Sequence, residues 1–380
     1  MTVIYDGLPA HCTNRTMNIS SIEAIPLKIP FTHGGPSIAW AGRDWQFLEI
    51  VLVRVETDCG LVGWGEAFSY NCQKAVVAMI EGSAPSVLVG KAVADREQVM
   101  HELEVGMHLW GRYGISMFAI SGIDIALWDL AAKAANQSLG KMLGQCKEVL
   151  PAYASLLKYR DPEVVAEQTA HAIEKGYRLI KLHEAAPEPV KAAREIAGNA
   201  VPIMLDVNCA WSISEAKQMV QQLVDCNLHW LEEPVWPPEN FAALGTLRAE
   251  YDIPIAAGEN MCTHWQFESM FGGDAVDFAQ PSVTKVGGIT EFLKVVNLCR
   301  KLKISVAPHS PYFGPGFLAT TQLISAMDED VPFERFYMTP EASLFGNAID
   351  PVNGNLQVPE GPGLGLDPDA HVIQEYRLSN

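Results

Sequence analysis

The sequence predicts an α/β fold: an eight-stranded (β/α) barrel of the TIM type accompanied by a smaller α+β domain. One basis is a short apolar run ending in polar residues that recurs four times. The endings are Ile180-Lys181-Leu182-His183, Leu205-Asp206-Val207-Asn208, Leu231-Glu232-Glu233-Pro234 and Ala257-Gly258-Glu259-Asn260. The steps from 181 to 206, 206 to 232 and 232 to 259 are 25, 26 and 27 residues, enough for one strand, one helix and two loops. A second basis is helix punctuation between the runs: Ser212 with Glu215 makes a capping box, and Asn240 can cap 241–248. The third is that the same step reaches 282–285, His309 and Glu334 going forward and 152–155 going back, which completes eight strands. Short apolar strands joined by helices suit a parallel sheet buried on both faces, with its chemistry at the strand ends.

Composition bounds the rest. A chain of 380 residues that is 48% hydrophobic can bury a large core, and a barrel over 146–345 uses about half of it, so a second domain is expected over 1–145. The net charge of −18 argues against nucleic acid, whose phosphates need a basic face, and means that an anionic substrate needs a local cation. Eight scattered cysteines without a CxxC pair suggest reduced thiols and a cytoplasmic protein. Residues 1–20 lack the basic and apolar regions of a signal peptide. The apolar stretch 115–135 contains Asp124, Asp129 and Lys133, so it reads as a buried helix and no membrane association is expected.

Taken in order, 1–17 reads as a leader, 22–29 as a strand, and 32–41 as a loop rich in Gly and Pro. Residues 47–57 alternate as a strand, and 60–65 turn into another, giving an antiparallel meander. Helices follow over 73–80, 96–107 and 117–135, so strands precede helices in an α+β layer. The tail 346–380, with turns and a strand-like 355–358, finds no room in the barrel and is expected to return to the first domain.

Several of these stretches resemble the enolase superfamily, mandelate racemase / muconate lactonizing enzyme subgroup. They are Ser121-Gly-Ile-Asp-Ile-Ala-Leu-Trp-Asp-Leu-Ala-Ala-Lys133, Lys181-x-His183, Asp206-x-Asn208, Trp230-Leu-Glu-Glu-Pro234, Gly258-Glu259-Asn260 and Lys285-Val-Gly-Gly-Ile-Thr290, in order over nearly the whole chain. The resemblance implies a modified (β/α)7β barrel under a capping domain, one essential Mg²⁺, and proton abstraction next to a carboxylate. Many members of the subgroup dehydrate sugar acids. A homo-oligomer is also expected.

The residues support that chemistry on their own terms. Asp206, Glu232 and Glu259 end three successive strands, so three carboxylates converge on one rim; such a cluster needs a hard cation, and oxygen ligands favour Mg²⁺ over zinc. The bland alternative is loop-end acids paired with surface bases. Glu232 and Glu233 are both possible ligands, and the resemblance favours Glu232. Lys181 and His183, two apart on a strand, share one side and should both reach the barrel mouth. Lys181, beside a histidine and a metal, is expected to have a lowered pKa, unless it merely pairs with Glu184. Where the family often has a lysine base, this chain has His183, so either residue can be the base.

His309 ends the seventh strand, opposite that pair, and by resemblance is the other acid/base. The family usually orients it with an aspartate, and that position here is Ser282, so His309 is expected to be loosely held and less reliably basic. Glu334 matches a carboxylic acid that hydrogen-bonds the substrate, or else it pairs with Arg335. Asn208 shares the Asp206 face and can hold a substrate oxygen, whereas Asn260 should point away from Glu259. Lys285, and His33 with its neighbours Arg43 and Trp45 beside the loop that would cover the mouth, are further substrate-binding candidates. Gly287-Gly288 can cradle phosphate or simply make a tight turn.

Three functional readings follow. In the first, a Mg²⁺-dependent lyase takes the α-proton of an aldonate or aldarate and expels the β-hydroxyl, giving a 2-keto-3-deoxy acid. In the second, the same start leads to isomerisation: cycloisomerisation of a lactone or anhydro sugar acid, or racemisation. The third, a barrel that binds metal and ligand without turnover, is disfavoured because Lys181, His183 and His309 stand beside a complete carboxylate triad.

Overall fold

The structure is a computed structural model that describes residues 17–40 and 43–379; apart from Met17, the expected leader lies outside the described residues, as does Ala41 of the 32–41 loop. The first domain is built on an antiparallel sheet in which Ile19–Thr32 pairs with Phe47–Thr57, which pairs in turn with Val62–Ala67. Helices Gln73–Leu88, Arg96–Gly106 and Ile115–Ala134 cover it. The last helix lies directly on the third strand: a Cβ at Gly65 would stand 1.9 Å from the Gly122 carbonyl oxygen, so only glycine permits that approach. In its most apolar window this helix is 78% buried, and it is a core helix as its internal Asp124, Asp129 and Lys133 suggest.

The barrel strands are Val149–Ser155, Ile180–Leu182, Ile203–Asp206, Leu228–Glu232, Ile255–Ala257, Phe278–Ala279, Ser305–Val306 and Phe333–Phe336. They pair in parallel along one path that runs from the seventh back to the first and then to the eighth. A helix follows each of the first seven strands, from Pro162–Glu174 to Pro315–Ser325, which makes the architecture (β/α)7β. The capping box at Ser212 and Glu215 and the Asn240 cap form as expected. Strands 6 and 7 are shorter than the apolar runs suggest, so Ser282, Lys285 and His309 all lie in loops beyond their strands.

The Ser121–Lys133 segment fastens the two layers together. Asp124 accepts hydrogen bonds from Thr290 N and Oγ1, and Ser121 Oγ accepts from Gly287 N. A Cβ on Gly288, whose φ is +80°, would strike the Asp124 carboxylate. Gly287-Gly288 therefore makes close contact with the capping helix, and the carboxylate already sits where a phosphate would have to. Asp129 accepts from Trp64 N and Leu364 N and pairs with Lys133, which also reaches Asp367 in the tail.

The tail takes a longer way round than expected. Asn355–Gln357 first pairs antiparallel with Val149–Pro151, because the first barrel strand projects beyond its neighbours and leaves an edge to fill. The end of the chain then returns to the capping sheet, whose edge Thr339–Pro340 already joins by pairing with Phe31–Thr32, and Leu378 N donates to Pro26 O. The cysteines also depart from expectation. Among the described residues six are free thiols, but Cys59, at the turn before Val62–Ala67, is disulfide-bonded, since pairing depends on folded proximity that sequence spacing does not show.

Candidate active site

Parallel strands all present their carboxyl ends to the same rim, which is why the recurrent endings meet. Asp206, Glu232 and Glu259 each bring a carboxylate oxygen to within 4.8 Å of the others. Asp206 and Glu232 are fully buried. Burial and the charge of Asp206 push Glu232 well above the ordinary carboxylate range. Glu233 is pushed well above it too, by burial and then by Glu259 and Asp206. Asp206 Oδ2 has no hydrogen-bond donor in bonding geometry, although His183 Nε2 is 3.3 Å away and Lys181 Nζ 3.6 Å. Three clustered oxygens, one of them orphaned, fit a hard divalent cation.

Lys181 is not at the mouth. It is fully buried below the rim, with Nζ 2.7 Å from Glu334 Oε1 and 2.9 Å from Glu232 Oε1. Burial works to lower its pKa, but Glu232, Glu334, Tyr153 and Asp206 more than reverse this and hold it well above the ordinary lysine value. Acids surround the ammonium group, whereas the lowering expected of Lys181 was to come from a bound metal beside it. Glu184 faces the other way and accepts from Tyr159 N and Arg160 N. Glu334 is buried but, unlike Lys181, lines the cavity, and it is not a partner of Arg335, which pairs with Asp350. Its carboxylate also accepts from Ser155 Oγ and Ser310 N, the latter linking the seventh strand's loop to the eighth strand.

His183, two residues on, does reach the cavity. Its Nδ1 bonds to the Leu156 carbonyl, which can only accept, so Nδ1 carries a proton and Nε2 is the atom available to take one. His309 stands among the loops opposite and is held at both nitrogens. Nε2 is 3.0 Å from Glu259 Oε2, and Nδ1 is 3.1 Å from Ser282 Oγ, which also bonds to Tyr312 OH. The expectation of a loose His309 is therefore corrected: a serine and a buried tyrosine stand where a carboxylate was expected, and fix the ring by hydrogen bonding.

His183, His309, Glu259 and Glu334 line a cavity of ≈ 550 Å³. Asn208 and Lys285 line it as expected, and so does Asn260. Asn260 was expected to face away, but beyond the strand end the chain turns, and its amide bridges the Glu233 carboxylate and Lys285 Nζ. His33 does not line the cavity. Its carbonyl accepts from Tyr159 OH and its ring lies 5.8 Å from that of Tyr159, because the loop leans on the barrel's flank. Trp45 lines the cavity instead, with Phe68, Tyr70, Tyr113 and Phe118 from the same domain. Those four and Tyr312 went unnoticed in the sequence, where only Tyr312, three residues after His309, carried any positional signal. A larger cavity of ≈ 670 Å³ opens at the opposite end of the barrel, around Leu179, His229 and Phe278, and contains none of these groups.

Comparison with known proteins agrees with this geometry. Residues 164–372 match the family described as enolase C-terminal domain-like. The chain belongs to the enolase superfamily. Residues 36–144 of this superfamily member match the mandelate racemase / muconate lactonizing enzyme N-terminal domain. It is 30% identical over 356 residues to an arabinonate dehydratase of Saccharolobus solfataricus, covering 90% of this chain and 95% of that protein. It is 29% identical to a D-galactarolactone cycloisomerase of Agrobacterium fabrum, covering 86% and 91%. A solved structure of an enolase superfamily member from Polaromonas sp. JS666 superposes with a TM-score of 0.86 at 30% identity, covering 96% of this chain and 98% of that one.

Proposed function

We propose that this enzyme is a Mg²⁺-dependent dehydratase. It takes the proton α to the carboxylate of a sugar acid and expels the β-hydroxyl as water, yielding a 2-keto-3-deoxy acid. The observation that carries this reading is a cluster of three carboxylates, Asp206 and Glu232 buried and Glu259 partly exposed, beside a cavity with a histidine on each of two walls. The similarity to an arabinonate dehydratase supports it. Asp206, Glu232 and Glu259 would hold the metal, whose charge when bound offsets that of the substrate carboxylate and so acidifies the α-proton.

The chain's own groups then divide the proton transfers. His183 Nε2 accepts the α-proton, and the C–H electron pair becomes a C=C bond as the β C–O bond breaks. His309 Nε2–H, whose polarity is set by the accepting Glu259 carboxylate, gives its proton to the departing hydroxyl, which leaves as water. Protonation of the resulting enol at C3 gives the keto acid. Lys181 keeps Glu232 and Glu334 in place and balances their charge. Lys285 and Asn208 would meet substrate oxygens.

A second reading, cycloisomerisation, draws on the similarity to the galactarolactone enzyme and uses the same first proton transfer. Incubating the protein with Mg²⁺ and a panel of sugar acids in D₂O separates the two. Dehydration gives α-exchange with a keto acid, and cycloisomerisation gives a product of unchanged mass. Absence of exchange with every acid would sink both.

A further inference from the structure

Residues 66–70, where the chain leaves the capping strand Val62–Ala67, touch the barrel at three alternate positions. Glu66 Oε2 accepts from Gly316 N at 2.8 Å, Phe68 N donates to Thr284 O at 3.4 Å, and Tyr70 OH donates to Pro311 O at 2.7 Å. These partners belong to the segments that carry His309 and its supports. Thr284 is two residues past Ser282, Pro311 two past His309, and Gly316 lies in the first turn of the helix Pro315–Ser325. The buried Glu66 carboxylate therefore caps an N–H that has no partner within that helix. A Cβ at Gly314 or Gly316 would stand 2.7 or 2.9 Å from Glu66 Oε2, so glycine at both positions lets the carboxylate reach.

The barrel holds the start of the same loop, through His309 N to Pro281 O at 3.2 Å and Ser310 N to Glu334 Oε2 at 2.7 Å. The capping domain holds the rest. Its two side-chain ties, at Pro311 and Gly316, bracket Tyr312, whose hydroxyl bonds to Ser282 Oγ behind His309 Nδ1. We infer that Tyr70 and Glu66 are positioning residues for His309: by fixing the backbone on either side of Tyr312, they keep in place the tyrosine–serine pair that aims the imidazole. This rests on the reading of His309 as the group that gives its proton to the leaving hydroxyl. Hydrogen bonds weaken steeply as their angle departs from linear, so a small shift of Tyr312 is felt at Nδ1.

The test compares two outputs of the same folded molecules. Mg²⁺-loaded protein is given saturating arabinonate, gluconate or galactonate in D₂O, and α-exchange is followed together with keto-acid release. Partial unfolding lowers both equally and leaves their ratio unchanged, whereas a misaimed His309 lowers release alone. Tyr70→Phe removes the donor to Pro311 O, and Glu66→Leu removes the acceptor for Gly316 N. Each is expected to lower keto acid formed per exchange roughly tenfold. Glu66→Gln keeps an oxygen acceptor and is expected to keep the parent ratio; a loss equal to that of Glu66→Leu would count against the inference. A parent ratio in either folded loss variant overturns it, and if Glu66→Leu does not fold, Tyr70→Phe decides alone. Should none of the acids exchange its α-proton, the dehydratase reading is what fails. The positioning is then read without substrate, from the His309 signal of protein carrying ¹⁵N-labelled histidine, identified by its loss in His309→Asn. That signal is expected to shift in Tyr70→Phe, and an unshifted signal overturns the inference.

Discussion

Replacing Ser282 by alanine is expected to slow turnover without unfolding the barrel. Ser282 Oγ is the partner of His309 Nδ1 at 3.1 Å, and the imidazole is only 7% exposed, so water cannot readily take its place. Leaving one buried polar atom unsatisfied costs about 1–3 kcal/mol. If that cost falls on the orientation His309 needs in the transition state, the rate drops by about 5- to 150-fold. Glu259 still holds the other nitrogen, so the residue is misaimed and not released. The assay is keto-acid release at saturating substrate, followed alongside α-proton exchange in D₂O: release should fall and exchange should persist. Tyr312→Phe, which removes the hydroxyl behind Ser282, should give a smaller loss of the same kind. In Ser282→Asp a carboxylate accepts from Nδ1 directly and activity should largely survive. Full keto-acid release by Ser282→Ala would refute the claim that this bond aims His309.

Four further outcomes are expected. Chelation should abolish activity, and Asp206→Asn or Glu259→Gln should weaken Mg²⁺ binding as read by calorimetry; full activity in EDTA would remove the metal from the account. His309→Asn should continue α-exchange while forming little product, whereas His183→Asn should lose both, and the reverse pattern would exchange their roles. Lys181→Met strands Glu232 and Glu334 without their cation and should lose about 3–5 kcal/mol of stability in urea unfolding. A loss too small to measure would mean the ion pairs contribute nothing. Finally, burial raises Glu66 from 4.5 to about 7 against the opposing N–H groups of Gly316 and Gly314. The folded state thus binds this proton more tightly than the unfolded state, and stability falls as pH rises from about 4.5 to about 7, by an amount on the order of 3 kcal/mol. Glu66→Gln should flatten that slope in denaturation curves at pH 5 and 8, and an unaltered slope would place the titration elsewhere.

The sequence by itself determined the repeat, and with it the barrel and the common rim of Asp206, Glu232 and Glu259. Local physics suffices for that: a fixed strand-plus-helix step in a parallel sheet returns every strand end to the same side. The same holds for the Ser212 and Asn240 caps, whose partners lie three residues away. Only the tertiary structure decided how deep each group sits and what it faces. Lys181 and His183 share a strand side, yet one is sealed among carboxylates and the other meets the cavity, because the eighth strand brings Glu334 up to the first. Ser282 looked like the loss of a carboxylate until folding set Tyr312 behind it. The aromatic lining of the cavity was beyond reach for the same reason: it forms only where the capping domain meets the barrel, as where Tyr70 bonds to Pro311 across 241 residues of sequence, and no periodicity records a contact that long.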